Sequence, residues 1–224
     1  MSTVLDDSFL LAADSGRSPE QDEAIKRAFD ICVAAVLLIP GLPIILVAAL
    51  AIWLVDGGPV LFPQERVGRG GVPFRCLKLR TMRQDADRQL EDLLATSPAA
   101  RAEWEATRKL RNDPRILGWA GKILRTSSLD ELPQFFNVLF GEMSIVGPRP
   151  VVREELAHYR ESSARLLSVR PGITGLWQVS GRSDTSYANR VRLDLQYIRQ
   201  WNVWLDVSIL FRTLPNVLVG RGAC

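Results

Sequence analysis

Asp130 and Glu131 are adjacent carboxylates inside the run Arg125-Thr126-Ser127-Ser128-Leu129-Asp130-Glu131-Leu132-Pro133-Gln134. Ser128 precedes Glu131 by the spacing of a capping box, and a proline is tolerated in a first helical turn, so the pattern predicts a helix over 132–139 with both acids at its start. Orphan backbone N–H groups at such a start favour negative charge. One acid placed there can stay ionised and attack phosphorus to form an acyl phosphate, while its neighbour binds a divalent cation. Taken alone, the pair also reads as capping residues in a solvated first turn, and on two residues that reading is the stronger.

Other charged residues carry similar double readings. Lys78 and Arg80 alternate along a predicted strand, which fits one solvated face as well as a pair of phosphate contacts. Arg125 would serve the last carbonyls of a preceding helix or a phosphate. Arg149 lies between Pro148 and Pro150, where the backbone is fixed and a structural role has little to explain it. Asp194 follows Arg190 by four residues, the spacing of a helical ion pair. Trp177 and the Pro171-Gly172-Ile173-Thr174-Gly175 loop fit a nucleotide contact or ordinary packing. Asp85-Ala86-Asp87 formally matches the metal motif of nucleotide-sugar glycosyltransferases, but it sits in a charged helical stretch and reads as a solvated face. His158 is the one histidine, which excludes a His-cluster metal site and argues against a His-based triad. No P-loop is present, and Gly68-Arg69-Gly70-Gly71 lacks the strand-turn-helix context of a dinucleotide fingerprint.

The elements that must position these groups begin with an uncharged apolar run, Ile31 to Val55, interrupted by Pro40-Gly41-Leu42-Pro43. A bilayer-crossing helix needs about 20 apolar residues, and this run has them. Two prolines around a glycine predict a broken helix. Lys26 and Arg27 flank one end, Arg66 and Arg69 the other, so neither end is preferred on the cytoplasmic side. A re-entrant helix broken at Pro40–Pro43 satisfies both observations. Residues 23–30 continue it on the N-terminal side, and Gly57-Gly58-Pro59 ends it. Residues 60–80 read as a small β-hairpin. Residues 83–110 read as two helices divided at Ser97-Pro98, and 118–124 as a short helix. Residues 151–167 and 187–200 read as helices, the 170–175 stretch as a loop, and 201–219 as an amphipathic helix for a membrane interface.

The chain has 224 residues, 47% hydrophobic, with a net charge of +3, a pI near 9.0 and a mean hydropathy of +0.04. That is enough for one domain with a core and a membrane element. The mild positive charge fits an anionic lipid surface or a phosphorylated substrate, and by charge alone nucleic acid as well. Cys32, Cys76 and Cys224 form no CxxC or zinc spacing, and an odd unpaired set points to a reducing compartment. The first 22 residues are polar and acidic, lack the features of a signal peptide, and read as a mobile tail. The expected organisation is a tail over 1–22, a re-entrant membrane helix over 23–56 and a cytoplasmic-face catalytic domain over 57–224. The expected fold class is α/β and mainly helical, with the hairpin and interfacial amphipathic helices.

Lys78-Leu79-Arg80-Thr81-Met82, Asp113-Pro114-Arg115, the Asp130-Glu131 cluster, Gly141 through Pro150, Pro171 through Val179 and Asp194-Leu195-Gln196-Tyr197 follow in order. With the broken apolar run, this series resembles the bacterial sugar transferase family, the monotopic polyprenyl-phosphate phosphoglycosyl transferases, from about Lys26 to nearly the C-terminus. The resemblance implies transfer of a sugar-1-phosphate, in the first instance a hexose-1-phosphate, from a UDP-sugar to undecaprenyl phosphate with release of UMP. It implies Asp130 as the nucleophile that holds a covalent phospho-sugar. Glu131, with Asp130, would bind Mg²⁺. It implies phosphate or substrate contacts at Lys78, Arg80, Arg125 and Arg149, and a position near the active site for Asp194. It implies the bacterial inner membrane at its cytoplasmic face, membrane lipids as partners, no nucleic acid, downstream glycosyltransferases, and the first step of an exopolysaccharide or other surface glycan. Two rivals stand beside it: a metal-dependent glycosyltransferase using Asp85 and Asp87, which would release UDP, and a non-catalytic membrane scaffold of polysaccharide assembly.

Overall fold

The computed structural model describes residues 19–107, 110–180 and 186–218. The expected tail up to residue 18, Val219 at the end of the expected amphipathic helix, and Cys224 lie outside the described residues.

Helix α1 (Pro19–Asp56) is a single α-helix with Pro40 and Pro43 inside it. This corrects the expected break at Pro40–Pro43, and α1 also begins earlier than Glu23. Each proline removes one N–H from the ladder. In an apolar stretch no water takes up freed backbone groups, so the remaining bonds are best kept within the helix. Val36, Ile39, Leu46, Val47, Leu50 and Leu54 are exposed along it, and by length and composition it is able to cross a membrane. It stops at Gly57 and Gly58, whose φ values of +59° and +63° suit glycine. Strands β1 (Leu61–Val67) and β2 (Pro73–Leu79) form the expected two-stranded hairpin.

The described chain groups into two compact units. One contains residues up to Leu37, Glu65–Phe74 and Phe135–Pro215; the other contains Leu38–Gln64 and Arg75–Gln134.

In the second unit the chain leaving β2 runs beside residues 115–117. The Leu117 N–H donates to the Thr81 carbonyl at 2.9 Å and the Arg83 N–H to the Arg115 carbonyl at 2.8 Å. Helices α2 (Ala86–Thr96) and α3 (Pro98–Thr107) divide at Ser97 as the sequence predicts. Helix α4 (Gly118–Ser127) buries Ala120, Gly121 and Leu124. Leu124 joins Ala48, Ile52, Leu79 and Leu117 in one core. A Cβ on Gly121 would run into the Thr81 carbonyl, so glycine sets how closely α4 approaches that strand.

The first unit is built around charge at the polar start of α1. Lys26 Nζ lies 3.2 Å from Asp30 Oδ1 and 2.7 Å from Asp206 Oδ2. Asp30 accepts from the Ser144 hydroxyl at 2.9 Å and the Ile145 N–H at 3.0 Å. Asp206 accepts from Tyr197 at 2.8 Å and from the Trp201 indole at 3.1 Å. Arg27 donates to the carbonyls of Val138 and Leu139 at the end of α5 (Gln134–Phe140), closing that helix. Strands β3 (Ser144–Val146) and β4 (Gly172–Thr174) pair in parallel, Ser144 with Gly172 and Val146 with Thr174. The sequence predicts only a loop at β4. A three-residue strand has no alternation to detect, and the pairing exists because Gly172 lets its backbone close on Gly147, where a Cβ would collide. The expected 151–167 helix is mostly 3₁₀ turns followed by α6 (Ser163–Leu166). Helices α7 (Leu176–Val179), α8 (Tyr187–Gln200) and α9 (Val203–Leu218) complete the unit, α8 at its expected bounds.

Removing Lys26 would strand two buried carboxylates. Lys26→Met should lower unfolding stability by about 3–5 kcal/mol. Arg83→Ala, at a half-exposed ion pair with Asp56, should cost about 1 kcal/mol or less. Denaturant unfolding of the purified proteins compares them.

Candidate active site

The Asp130–Glu131 pair does not open a capped helix. Helix α4 ends at Ser128, which takes the left-handed conformation at φ +57° and makes no side-chain cap bond. Its N–H bonds to the carbonyls of Leu124 and Arg125 instead. This corrects the capping-box expectation: with Ser128 used to finish α4, Glu131 is released to point elsewhere. Leu129–Glu131 is a single 3₁₀ turn, and α5 starts only at Gln134.

That turn presents the two acids to different surroundings. Glu131 Oε1 takes the Lys78 ammonium at 2.7 Å, both side chains partly exposed. Asp130 has its carboxyl pushed up to about 6, chiefly by burial and then by the neighbouring Glu131 charge, against the pull of Lys78, a backbone N–H and Arg125. Asp130 is therefore ionised at neutral pH and poorly compensated, a reactive condition for a carboxylate. Arg125, in the last turn of α4, makes no ion pair among the described residues, and its charge lowers the Asp130 pKa. Arg115, which stacks on Trp104 at 5.0 Å, is taken up by Asp113 through bonds of 2.7 and 2.8 Å. Burial opposes ionisation of Asp113, but the Arg115 bonds outweigh it and hold the carboxyl below its usual range. The second unit thus brings together Asp130, Glu131, Lys78 and Arg125.

Arg80 does not join them. It is buried, bonded to Asp56 Oδ2 at 2.6 Å and to the Gly57 carbonyl, where it finishes α1. This geometry does not support the phosphate-contact reading of Arg80.

Arg149 and Asp194 fall in the first unit. Arg149 is exposed, with its guanidinium 6.0 Å from the Trp177 ring centroid. Trp177 is buried, so packing accounts for it better than nucleotide stacking. Asp194 is buried, and Tyr159 donates to its Oδ2 at 2.7 Å. Burial pushes its carboxyl up to about 7, against the Tyr159 bond and the charges of Arg149 and Arg190. The residues that sequence reasoning missed are Tyr159, which gave no signal, and Arg190, whose spacing from Asp194 suggested a helical ion pair that does not form.

Asp85 and Asp87 are exposed on a charged helix start, Asp85 accepting from Gln89 at 2.9 Å. No cluster of three His, Cys, Asp or Glu suited to a metal occurs among the described residues. Two adjacent acids still fit Mg²⁺, which commonly takes one or two carboxylates and completes its shell with substrate phosphate and water. The repulsion that raises Asp130 is one that a shared cation would relieve.

A profile of the bacterial sugar transferase family matches residues 21–220. The exopolysaccharide production protein ExoY of Rhizobium meliloti (strain 1021) is 45% identical over 215 residues, covering 96% of this chain and 95% of that protein. The undecaprenyl-phosphate galactose phosphotransferase of Salmonella typhimurium is 45% identical over 214 residues, which is 96% of this chain and 44% of that longer protein. The UDP-glucose:undecaprenyl-phosphate glucose-1-phosphate transferase of Caulobacter vibrioides is 42% identical over 211 residues, 88% of this chain and 71% of the other.

Folded Asp194 holds its proton up to about 7, whereas an unfolded aspartate releases it near its ordinary value of 3.8. Between these values the folded state binds more protons, so this residue's contribution makes stability fall as pH rises. Asp194→Asn should flatten that fall, read as a smaller difference in denaturant midpoint between pH 5 and pH 8.

Proposed function

Because this chain belongs to the bacterial sugar transferase family, we propose that it transfers a sugar-1-phosphate, most simply a hexose-1-phosphate, from a UDP-sugar to undecaprenyl phosphate and so begins a surface glycan such as an exopolysaccharide. It is an enzyme of the phosphoglycosyl transferase class, and its relatives are named for exopolysaccharide production and for galactose and glucose-1-phosphate transfer. The observation that carries the proposed mechanism is Asp130, a half-buried carboxylate ionised at neutral pH beside a Lys78–Glu131 pair and beside Arg125, which makes no ion pair among the described residues.

In the proposed route an Asp130 oxygen attacks the sugar-bearing phosphorus. A new P–O bond forms to the carboxylate, the diphosphate bridge breaks, and UMP leaves with the bridging oxygen. The acyl phosphate on Asp130 then holds the phospho-sugar. A phosphate oxygen of the lipid attacks the same phosphorus, the acyl P–O bond breaks, and the Asp130 carboxylate is restored. Arg125 and Lys78 offset charge on the phosphoryl oxygens, where transition-state charge develops. Arg149 offers a further phosphate contact. Asp130 and Glu131 would hold Mg²⁺, which supplies added neutralisation of phosphate charge. Arg80 acts at the end of α1. The two-step route lets the nucleotide depart before the lipid reacts.

The membrane reading belongs to the same proposal. In this proposal α1 stays helical through Pro40 and Pro43 but bends where the two prolines remove ladder N–H groups, so that residues 23–56 enter and leave the bilayer on one side, with residues 1–22 and the catalytic domain over 57–224 both at the cytoplasmic face of the inner membrane. Exposed Trp204, Phe211 and Leu214 on α9 suit an interface. Membrane lipids surround the protein, and downstream glycosyltransferases take its lipid-linked product.

Purified protein in nanodiscs with undecaprenyl phosphate, Mg²⁺ and a panel of UDP-sugars should release UMP with one sugar, and Asp130→Asn should abolish that release. UDP as the product would favour a glycosyltransferase at Asp85 and Asp87, and no release with any donor would favour a scaffold. For topology, Thr3→Cys in sealed cells should resist an impermeant maleimide beyond the background of the unaltered protein. Labelling from outside would sink the re-entrant reading.

A further inference from the structure

Arg190 and Asp194 sit one turn apart on α8, where opposite charges ordinarily pair. Here Asp194 Oδ2 takes the Tyr159 hydroxyl, and Oδ1 has no hydrogen-bond partner. The Arg190 guanidinium turns to aromatic rings, 4.6 Å from the Trp177 centroid and 5.9 Å from that of Tyr187. Its buried Nε also has no partner. Arg149 lies over the same Trp177 ring, at 6.0 Å. Among the described residues neither arginine makes an ion pair.

Two guanidinium groups gathered on one buried ring repel each other. The carboxyl nearest in sequence to Arg190 is buried and holds a proton up to about 7, so it is a weak counter-charge at neutral pH. Cation–ring attraction orients each arginine and leaves its N–H fork unspent. Such forks match the oxygens of a phosphate group, which they bind bidentately. The short α7 carrying Trp177 follows the Gly172-Ile173-Thr174 strand that pairs with β3, and Arg149 follows β3. The β3–β4 pairing thus sets both the ring and one arginine, while α8 supplies the other.

We propose that Arg190 is a phosphate-binding residue, acting with Arg149 on the Trp177 platform to hold a phosphate or diphosphate oxyanion of a substrate. The inference rests on the phosphoglycosyl transfer reading above. The oxyanion belongs either to the diphosphate of the nucleotide sugar or to the phosphate of the lipid acceptor, and the two sources separate kinetically. Trp177 has a supporting part, orienting the arginines.

Arg190→Gln should raise the KM for one of the two substrates about 10- to 100-fold, the scale of a lost charge-assisted bond, with a smaller change in kcat. A rise for the UDP-sugar assigns the site to the donor, and a rise for undecaprenyl phosphate assigns it to the acceptor. Arg190→Lys should recover part of the loss by restoring charge. If neither KM moves in a variant that melts with the wild type, the proposal is overturned. A second measurement needs no turnover and no variant. Phenylglyoxal modification of the full-length wild-type protein, mapped by mass spectrometry, should slow at Arg190 when inorganic pyrophosphate or UDP is added. Unchanged modification at Arg190 with both probes also overturns it. Protection at Arg190 without turnover by any donor would leave this site standing while the parent reading fails.

Discussion

One ammonium group holds the first unit together. Lys26 lies between Asp30 and Asp206, both almost wholly buried. Around these three charges gather the Ser144 hydroxyl, the Ile145 N–H, the Tyr197 hydroxyl and the Trp201 indole. The network ties the start of α1 to β3, α8 and α9, elements far apart in sequence. Asp206 shows the strain of the arrangement: burial raises its pKa, and the Lys26 charge with the Tyr197 and Trp201 bonds works against that rise. A buried ion pair of this kind is weak as a source of net stability and strong as a specifier of arrangement, because every alternative leaves a charge unpaired.

A comparable economy of partners operates around Asp130. Lys78 is engaged by Glu131, and Arg115 is taken by Asp113. Arg125 is left without an ion pair among the described residues. The charge that remains near Asp130 moderates its carboxyl without neutralising it. The left-handed Ser128 is the local device behind this, since ending α4 there turns the chain sharply and delivers the two acids on a tight turn.

The first unit carries its own excess of positive charge over Trp177. The buried acid one turn from Arg190, Asp194, is committed to Tyr159 and disfavours ionisation. In the first unit the carboxyl one helical turn from Arg190 has been given other work, and in the second the nearby carboxyls of Glu131 and Asp113 are committed to Lys78 and Arg115 instead of Arg125. This is how a protein keeps cations available in a sequence that has 28 basic and 25 acidic residues.

The amino-acid sequence by itself determined the elements with strong local signals. The apolar run gave α1, Gly57-Gly58-Pro59 its end, two short segments around the Gly68–Gly71 cluster a hairpin, and residues 187–200 helix α8 at its full extent. The ordered motifs marked Asp130, Glu131, Lys78, Arg125 and Arg149 as functional candidates. Only the tertiary structure decided how those residues are used. It kept α1 helical through two prolines, converted a predicted cap at Ser128 into a helix stop, and assigned Arg80 to the end of α1. It created the β3–β4 pair from segments too short to show a period, and it set Arg190 on Trp177 in place of the expected pairing with Asp194. The physical reason is the same in each case: a local pattern lists the partners a residue is able to take, and only packing brings the competing partners close enough for one of them to win.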